Sequence, residues 1–327
     1  MVFHDSETGG TGVSFVITVY NKSACLPAVI GALQRQEGSF DREFIFVDDG
    51  STDDSAAVIE REAADLRNVS IVRQPNAGPS WAINAGLARA RFPYVKGLDG
   101  DDLLTPRATS LLLDAVRTTG CPMAYGTCLP FPPGQDPLTV QHGALEGAPP
   151  AAVRVERPLE RLMDGYLFGN ASAWLASRAL LLAAGGSDPK VFIQDVSIML
   201  RMAARTPFAT LDYPVFFWPR EADGRLTGSE LQILHDINRA FADFFAEHPE
   251  IPAVMRRRAA KRLTGRAWKW ARRRCGAGMA SADFWRYIRG LLAIGDPVAL
   301  MEESCRSFVG AIRTPPKNRA APILPAR

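Results

Sequence analysis

Val13-Ser-Phe-Val-Ile-Thr-Val19, followed by Tyr20-Asn21 and then by Phe44-Ile-Phe-Val-Asp-Asp-Gly-Ser-Thr-Asp53, is the stretch from which the fold can be read. The first run is short, β-branched and apolar at nearly every position, which suits a strand covered on both faces. Leu26, Val29, Ile30 and Leu33 follow at i, i+3, i+4 and i+7, a helical period. Phe44–Val47 reads as the next strand, and Asp48 to Asp53 supplies turn and cap residues for a helix carrying Val58 and Ile59. Outward from there the pattern repeats: a strand at Ser70–Val72, a loop at Asn76–Pro79, a helix over Trp81–Ala90 and a strand over Tyr94–Leu98 that ends in Asp99-Gly-Asp-Asp102. Alternation of strand and helix predicts an α/β domain with a mostly parallel central sheet and helices on both faces.

Past a helix around Ala108–Arg117, the segment Pro130–Pro158 is rich in Pro and Gly and reads as a long surface excursion. Regular structure is expected again in a helix after Pro158, a strand near Ala171–Leu175, a helix after Ser177 closed by Gly185-Gly186, and a helix from Asp195 to Ala204. From Ser229 the pattern is helical, and the Pro-rich end from Thr314 is expected to fray. The expected divisions are a tail at 1–12, an α/β domain at 13–220 made of two halves (13–118 and 119–220), a helical appendage at 221–313 and a tail at 314–327.

Hydrophobic residues make up 47% and charged residues 22% of the 327, values that exclude a disordered or collagen-like chain. A net charge of +3 is too small to imply general polyanion binding, so no nucleic-acid partner is expected and any basic surface must be local. Five cysteines without a CxxC pair suggest neither a disulfide framework nor a zinc site, and fit a reducing, cytoplasmic compartment. Met1–Gly12 lacks the basic and apolar regions of a secretory leader, and no run approaches the roughly 18 apolar residues of a membrane span.

In a parallel sheet, ligands bind beyond the carboxyl ends of the strands. Strand one ends at Thr18, Tyr20 and Asn21, strand two at Asp48 and Asp49, and strand four at Asp99, Asp101 and Asp102. Converging carboxylates repel unless a cation or hydrogen-bond donors compensate. Magnesium or manganese, held by one or two carboxylates and by substrate phosphates, is a simple solution, and Asp99-Gly-Asp101 suits it. The same DxD would otherwise be an ordinary turn.

These motifs resemble the family 2 glycosyltransferases of the nucleotide-diphospho-sugar transferase (GT-A) fold. The resemblance rests on Val13–Asn21, Phe46–Asp53, Gln74-Pro-Asn-Ala-Gly-Pro-Ser80, Asn84-Ala-Gly-Leu87 and Leu98–Asp102, in family order and spacing. It implies an inverting, metal-dependent transfer of a sugar from a nucleotide-diphosphate donor, a UDP-sugar, to an acceptor hydroxyl in envelope or exopolysaccharide synthesis. Carried over by position, Thr18, Tyr20 and Asp49 would hold uracil and ribose, Asp99 would lie at the ribose or metal, and Asp101 would bind Mn2+ or Mg2+ at the diphosphate. Asp48 points the other way along an extended chain and is expected to brace the turn. In the second half the family pattern makes Asp195 the general base, although a helix cap is the alternative role.

The chain departs from the family in having Gln194 where Glu is usual and Ile83 where many members have Arg. Arg220 or Arg225 would reach the diphosphate if the segment after the last strand closes over the donor, and Trp81 or Trp174 would stack on a sugar if not buried. A helix near 256–274 crowds basic residues around a stripe of Ala260, Leu263, Ala267 and Trp270. Two readings of it stay open: it lies on an anionic membrane beside a lipid-linked or glycan acceptor, or its stripe packs on the catalytic domain. A sugar-phosphate nucleotidyltransferase would need a Gly-rich basic loop where Tyr20-Asn-Lys-Ser23 stands, and a noncatalytic adaptor need not keep acids at 49, 99, 101 and 195.

Overall fold

The computed structural model describes residues 11–131, 152–165, 170–219, 230–308, 310, 312 and 313. Among the described residues nine strands form one sheet in the order β3-β2-β1-β4-β8-β6-β9-β5, with β7 also on β9. Its first half is β1 (Gly12–Val19), β2 (Asp41–Asp48), β3 (Val69–Arg73) and β4 (Tyr94–Asp99), all paired in parallel. Helices α1 (Leu26–Gln34), α2 (Ser55–Glu62) and α3 (Pro79–Arg89) connect them, and α4 (Ala108–Thr119) follows the short β5 (Leu103–Leu104).

The apolar β1 run is buried on both faces, as its composition requires. Phe15 and Ile17 pack with Phe44 and Phe46 against α1, α2 and α4, with the Phe15 and Phe44 rings stacked at 5.1 Å. Val16 points the other way, into a second core with Ile45, Val47 and Ala82, Ile83 and Leu87 of α3. Gly86 is fixed by this packing, since a Cβ there would lie 2.1 Å from the Val16 Cγ1. Ile83 is therefore a sheet-facing core residue.

The other half of the sheet differs from the sequence reading. β6 (Met123–Pro130), β7 (Val153–Glu156) and β9 (Phe208–Trp218) are strands that the reading did not include. β8 (Trp174–Ser177), preceded by a 3-10 turn at Ala171–Ala173, runs antiparallel to both β4 and β6, whereas β6 and β9 are parallel. The Pro130–Pro158 segment is thus partly strand at its two ends, and residues 132–151 lie outside those described.

Helices α5 (Pro158–Met163), α6 (Arg178–Ala183) and α7 (Asp195–Ala203) accompany this half of the sheet. Four more follow: α8 (Glu230–Glu247), α9 (Ala253–Cys275), α10 (Ala282–Leu291) and α11 (Pro297–Ser304). The α9 stripe faces inward: Ala260 and Leu263 join the core shared with α8, and Ala267 and Trp270 pack with Phe308. Apart from Ala253 and Val254 in its first turn and Cys275 at its end, the fully exposed positions of α9 are basic, so the stripe itself is covered by protein. No helix among the described residues is long and apolar enough to cross one.

Candidate active site

Parallel pairing sets Thr18 opposite Asp99 on one side and Val47 on the other, so the ends of β1, β2 and β4 finish level. Backbone bonds then clip the emerging loops together, from Asp49 N–H to the Val19 carbonyl (2.8 Å) and from Gly100 N–H to the Thr18 carbonyl (2.9 Å). Above them lies a cleft of about 300 Å³ whose walls include Thr18, Tyr20, Asp49, Asp99, Asp101 and Asp195. All the residues assigned from sequence meet there, including Asp195 from the far half of the chain.

Their roles divide by what already holds them. Asp48 accepts from the Ser51 N–H at 2.9 Å and braces the turn, as its opposite direction implies. Asp49 accepts from Gln74 Nε2 (2.6 Å) and from the N–H groups of Ala77 (2.9 Å) and Gly78 (2.7 Å). It therefore shapes the Gln74–Gly78 loop while also lining the cleft. Gly78 has φ +94°, and a Cβ there would press on the Phe192 ring. Tyr20 is 39% exposed, leaving its ring free to form an edge of the pocket.

The acids are not isolated. Lys22 Nζ donates to Asp101 at 2.7 Å, while Asp99 accepts from Gln194 Nε2 (2.6 Å) and Thr18 Oγ1 (3.3 Å). Burial pushes the Asp99 carboxyl up to about 6, with Asp101 adding repulsion and the Thr18 and Gln194 donors and Lys22 opposing it. Burial, reinforced by Asp99, pushes Asp195 up to about 8. Asp195 is the first residue of α7, one place past the cap at Gln194, where no side chain makes a cap hydrogen bond. The cap alternative for Asp195 is thus not what the structure has.

A buried platform supports this end of β4. Ser172 Oγ accepts from Asp99 N–H (3.0 Å) and donates to Asp102 (2.7 Å), and Asn170 Nδ2 donates to Asp102 at 3.1 Å. Lys96 is fully buried beneath it, donating to the carbonyls of Gly97 (2.8 Å) and Ser172 (2.6 Å). Burial lowers Lys96 to about 7 against the pull of Asp102 and Asp99.

The opposite wall comes from the helical part of the chain. Ile233 and Ile237 of α8 and Arg313 line the cleft. Asp236, 2% exposed, accepts from the N–H groups of Phe192 (3.0 Å) and Ile193 (3.1 Å) and from Gln232 Nε2 (2.9 Å). Gln232 also pairs with both backbone groups of Arg313, whose guanidinium carbon lies 5.9 Å from the Phe192 ring centre. Asp236→Ala takes the acceptor from the buried Phe192 N–H and the partly buried Ile193 N–H. We expect a loss of about 3 kcal/mol in urea unfolding, with Asp236→Asn closer to the parent because it keeps an acceptor. An alanine variant within about 0.5 kcal/mol of the parent would contradict this bracing role.

Sequence reasoning did not single out Lys22, Lys96, Phe192, Asp236 or Arg313. Lys96 alone left a signal, a charge inside the apolar run Tyr94-Val-Lys-Gly-Leu98. Neither proposed stacking tryptophan is available: Trp174 is buried, and Trp81 is buried with its indole N–H on the Pro189 carbonyl (3.1 Å). Arg220 and Arg225 lie outside the described residues.

Among the described residues no three or more acids, histidines or cysteines are arranged to cage a metal. Asp99 and Asp101, close enough to repel and with the Lys22 ammonium already drawn to Asp101, instead suit a cation that completes its shell with water and donor phosphates. Gln194 fits this charge balance, since its amide gives Asp99 a donor where Glu would add another negative charge. Its Oε1 is buried with no hydrogen-bond partner among the described residues.

Fold and cleft together define a GT-A-type glycosyltransferase architecture. The glycosyl transferase family 2 model matches residues 14–175, and the chain belongs to that family. It is 34% identical over 105 residues to chondroitin synthase of Escherichia coli, covering 32% of this chain and 15% of that protein. It is 30% identical over 119 residues to the GalNAc(5)-diNAcBac-PP-undecaprenol beta-1,3-glucosyltransferase of Campylobacter jejuni, covering 36% of this chain and 38% of that one. The aligned stretch thus spans far less than two thirds of either relative. Among solved structures, S. aureus TarS 1–349 in complex with UDP-GlcNAc superposes with a TM-score of 0.63 at 15% identity, covering 90% of this chain and 88% of that one. The Pyrobaculum calidifontis mannosyltransferase in complex with GDP-Man and Mn2+ gives 0.56 at 19% identity over 90% of this chain and 85% of its own. At these identities the likeness is one of fold.

Proposed function

We propose that the protein is an inverting, metal-dependent glycosyltransferase moving a sugar from a UDP-sugar to an acceptor hydroxyl. One observation carries the reading: Asp195, at the start of α7, faces the same cleft as the Asp99–Asp101 pair. Asp195 takes the proton of the acceptor hydroxyl as its oxygen attacks the anomeric carbon from the face opposite the diphosphate. Asp101, with Asp99, would hold Mn2+ or Mg2+, which when bound supplies charge neutralisation for the departing diphosphate. Lys22 adds a second positive charge on Asp101. A single displacement inverts the anomeric configuration.

In this reading residues 13–118 bind the nucleotide, 119–220 bring the base and acceptor side, and the helices of 221–313 wall the cleft. Thr18, Tyr20 and Asp49 surround uracil and ribose. The undecaprenol-linked substrate in the name of the C. jejuni relative supports a lipid-linked or envelope glycan acceptor. The five cysteines, all free, support action on the cytoplasmic side, at the inner face of a membrane.

Asp49→Ala is the test of base recognition. UDP affinity by calorimetry is expected to fall about tenfold, and uridine affinity with it, while manganese still enhances UDP binding. An unchanged UDP dissociation constant would remove Asp49 from the nucleotide site.

A further inference from the structure

The helical part of the chain exposes apolar side chains that the catalytic reading leaves without a role. On α10 and the turn after it, Trp285 is 56% exposed, Leu292 61% and Ile294 52%. Residues 291–296 are all exposed, although the turn is well built: Ile294 N–H bonds to the Arg289 carbonyl at 2.8 Å, and Asp296 caps α11 through Val298 N–H and Ala299 N–H. The other side of α10 is anchored on α9, with Phe284 against Trp268 (5.2 Å) and Gly290 against Thr264 and Ala260.

The flank is basic. Lys261, Lys269, Arg272 and Arg273 are exposed on α9, the helix against which α10 packs, and no ion pair engages any of them among the described residues, although Glu230 of α8 lines the same hollow as Lys269 and Arg273. The nearby acids are engaged: Asp283 binds Arg286 at 2.6 Å and Ser307 at 2.6 Å, and Glu303 lies 3.5 Å from Arg289. Apolar anchors on α10, with exposed cations on the helix it packs against, match the chemistry of an anionic lipid surface. A second copy of the chain fits less well, because a two-fold contact on this face would set the four cations against their own counterparts.

We propose that α10 and the 291–296 turn dock on an anionic membrane, with Trp285, Leu292 and Ile294 entering the interfacial layer and Lys261, Lys269, Arg272 and Arg273 facing lipid phosphates. The contact deepens the membrane side of the transferase reading but is measured apart from it, by vesicle binding instead of UDP affinity.

The test is sedimentation of the full chain with vesicles of phosphatidylcholine alone or mixed equally with phosphatidylglycerol. The parent is expected to sediment with the anionic vesicles, to release as salt rises, and to ignore the neutral ones. Replacing Trp285, Leu292 and Ile294 by Ser should cut the partition coefficient about tenfold or more, and changing the four cations to Gln should do likewise at low salt. UDP affinity should stay at the parent value in both, since neither set lines the cleft. Brominated lipid in the anionic vesicles should quench parent tryptophan fluorescence, and Trp285→Phe should lose most of that quenching; this arm holds even if the triple variant folds poorly. A parent that ignores anionic vesicles at low salt, equal quenching in Trp285→Phe, or a dimer dissociated by the Ser substitutions would overturn the proposal.

Discussion

Asp195→Asn is expected to lower sugar-transfer turnover by roughly 10²–10⁴-fold, the usual contribution of a positioned general base, with UDP affinity near the parent value. The asparagine keeps size and polarity but cannot take a proton. Stability moves the other way from a structural loss. Because the folded state holds the Asp195 proton up to about 8, far above its ordinary 3.8, this carboxyl stabilises the metal-free protein least above that pH. As pH rises from about 4 to 8, the folded state binds more protons than the unfolded one, so this group's contribution falls. The substitution removes that slope, and metal-free Asp195→Asn should melt at or above the parent temperature near pH 8. Turnover of the parent with manganese should rise with pH as Asp195 loses its proton, with a midpoint below the metal-free value of about 8 because a cation at Asp99 and Asp101 favours the ionised base. Near-parental turnover in the folded variant would reject the mechanism.

Asp101→Asn is expected to weaken UDP binding in the presence of manganese by about 10–100-fold and to remove most of its dependence on the metal. The amide keeps an oxygen but loses the charge that a hard cation needs, and it frees Lys22 from its 2.7 Å ion pair. Binding without metal should therefore change little or improve slightly, since the freed ammonium can face the diphosphate. Calorimetry with UDP, with and without manganese, separates the two effects. Equal affinity in variant and parent, or parent binding indifferent to the metal, would exclude Asp101 from this role.

Three strands of the parallel half, β1, β2 and β4, were readable because their central residues are buried on both faces and write themselves as largely apolar runs, whereas β3 at the sheet edge is only partly covered. Val13–Val19, Phe44–Val47 and Tyr94–Leu98 all lie inside observed strands. β6, β7 and β9 escaped for opposite physical reasons. In β9, Leu211, Tyr213 and Val215 are buried while Asp212 points out and Pro214 lies between, an alternating pattern broken by a residue that usually marks an edge or a turn. In β6, Gly126 and Pro130 punctuate the run, and its pairing with β9 is irregular between Tyr125 and Cys128. β7 is mostly exposed and only four residues long, too short for the alternation of Val153-Arg-Val-Glu156 to stand out.

The site followed the same division. Strand-end residues are local to recognisable motifs, so Thr18, Tyr20, Asp49, Asp99 and Asp101 could be named from sequence, and all five line the cleft. The groups that position them are long-range: Gln194 lies 95 residues from Asp99, and Asp236 lies 44 from Phe192. No spacing along the chain announces such contacts. The inward turn of the α9 stripe was equally hidden, because an amphipathic helix has the same periodicity whether a core or a membrane covers it.

The most direct test of the central claim is the configuration of the sugar released when the protein and magnesium act on UDP-α-sugars in water, followed by proton NMR from the first minutes. Attack from the face opposite the diphosphate predicts that the β-anomer appears first and equilibrates afterwards, and that Asp195→Asn releases sugar far more slowly. Initial release of the α-anomer, or equal release by the variant, would contradict a single displacement assisted by Asp195.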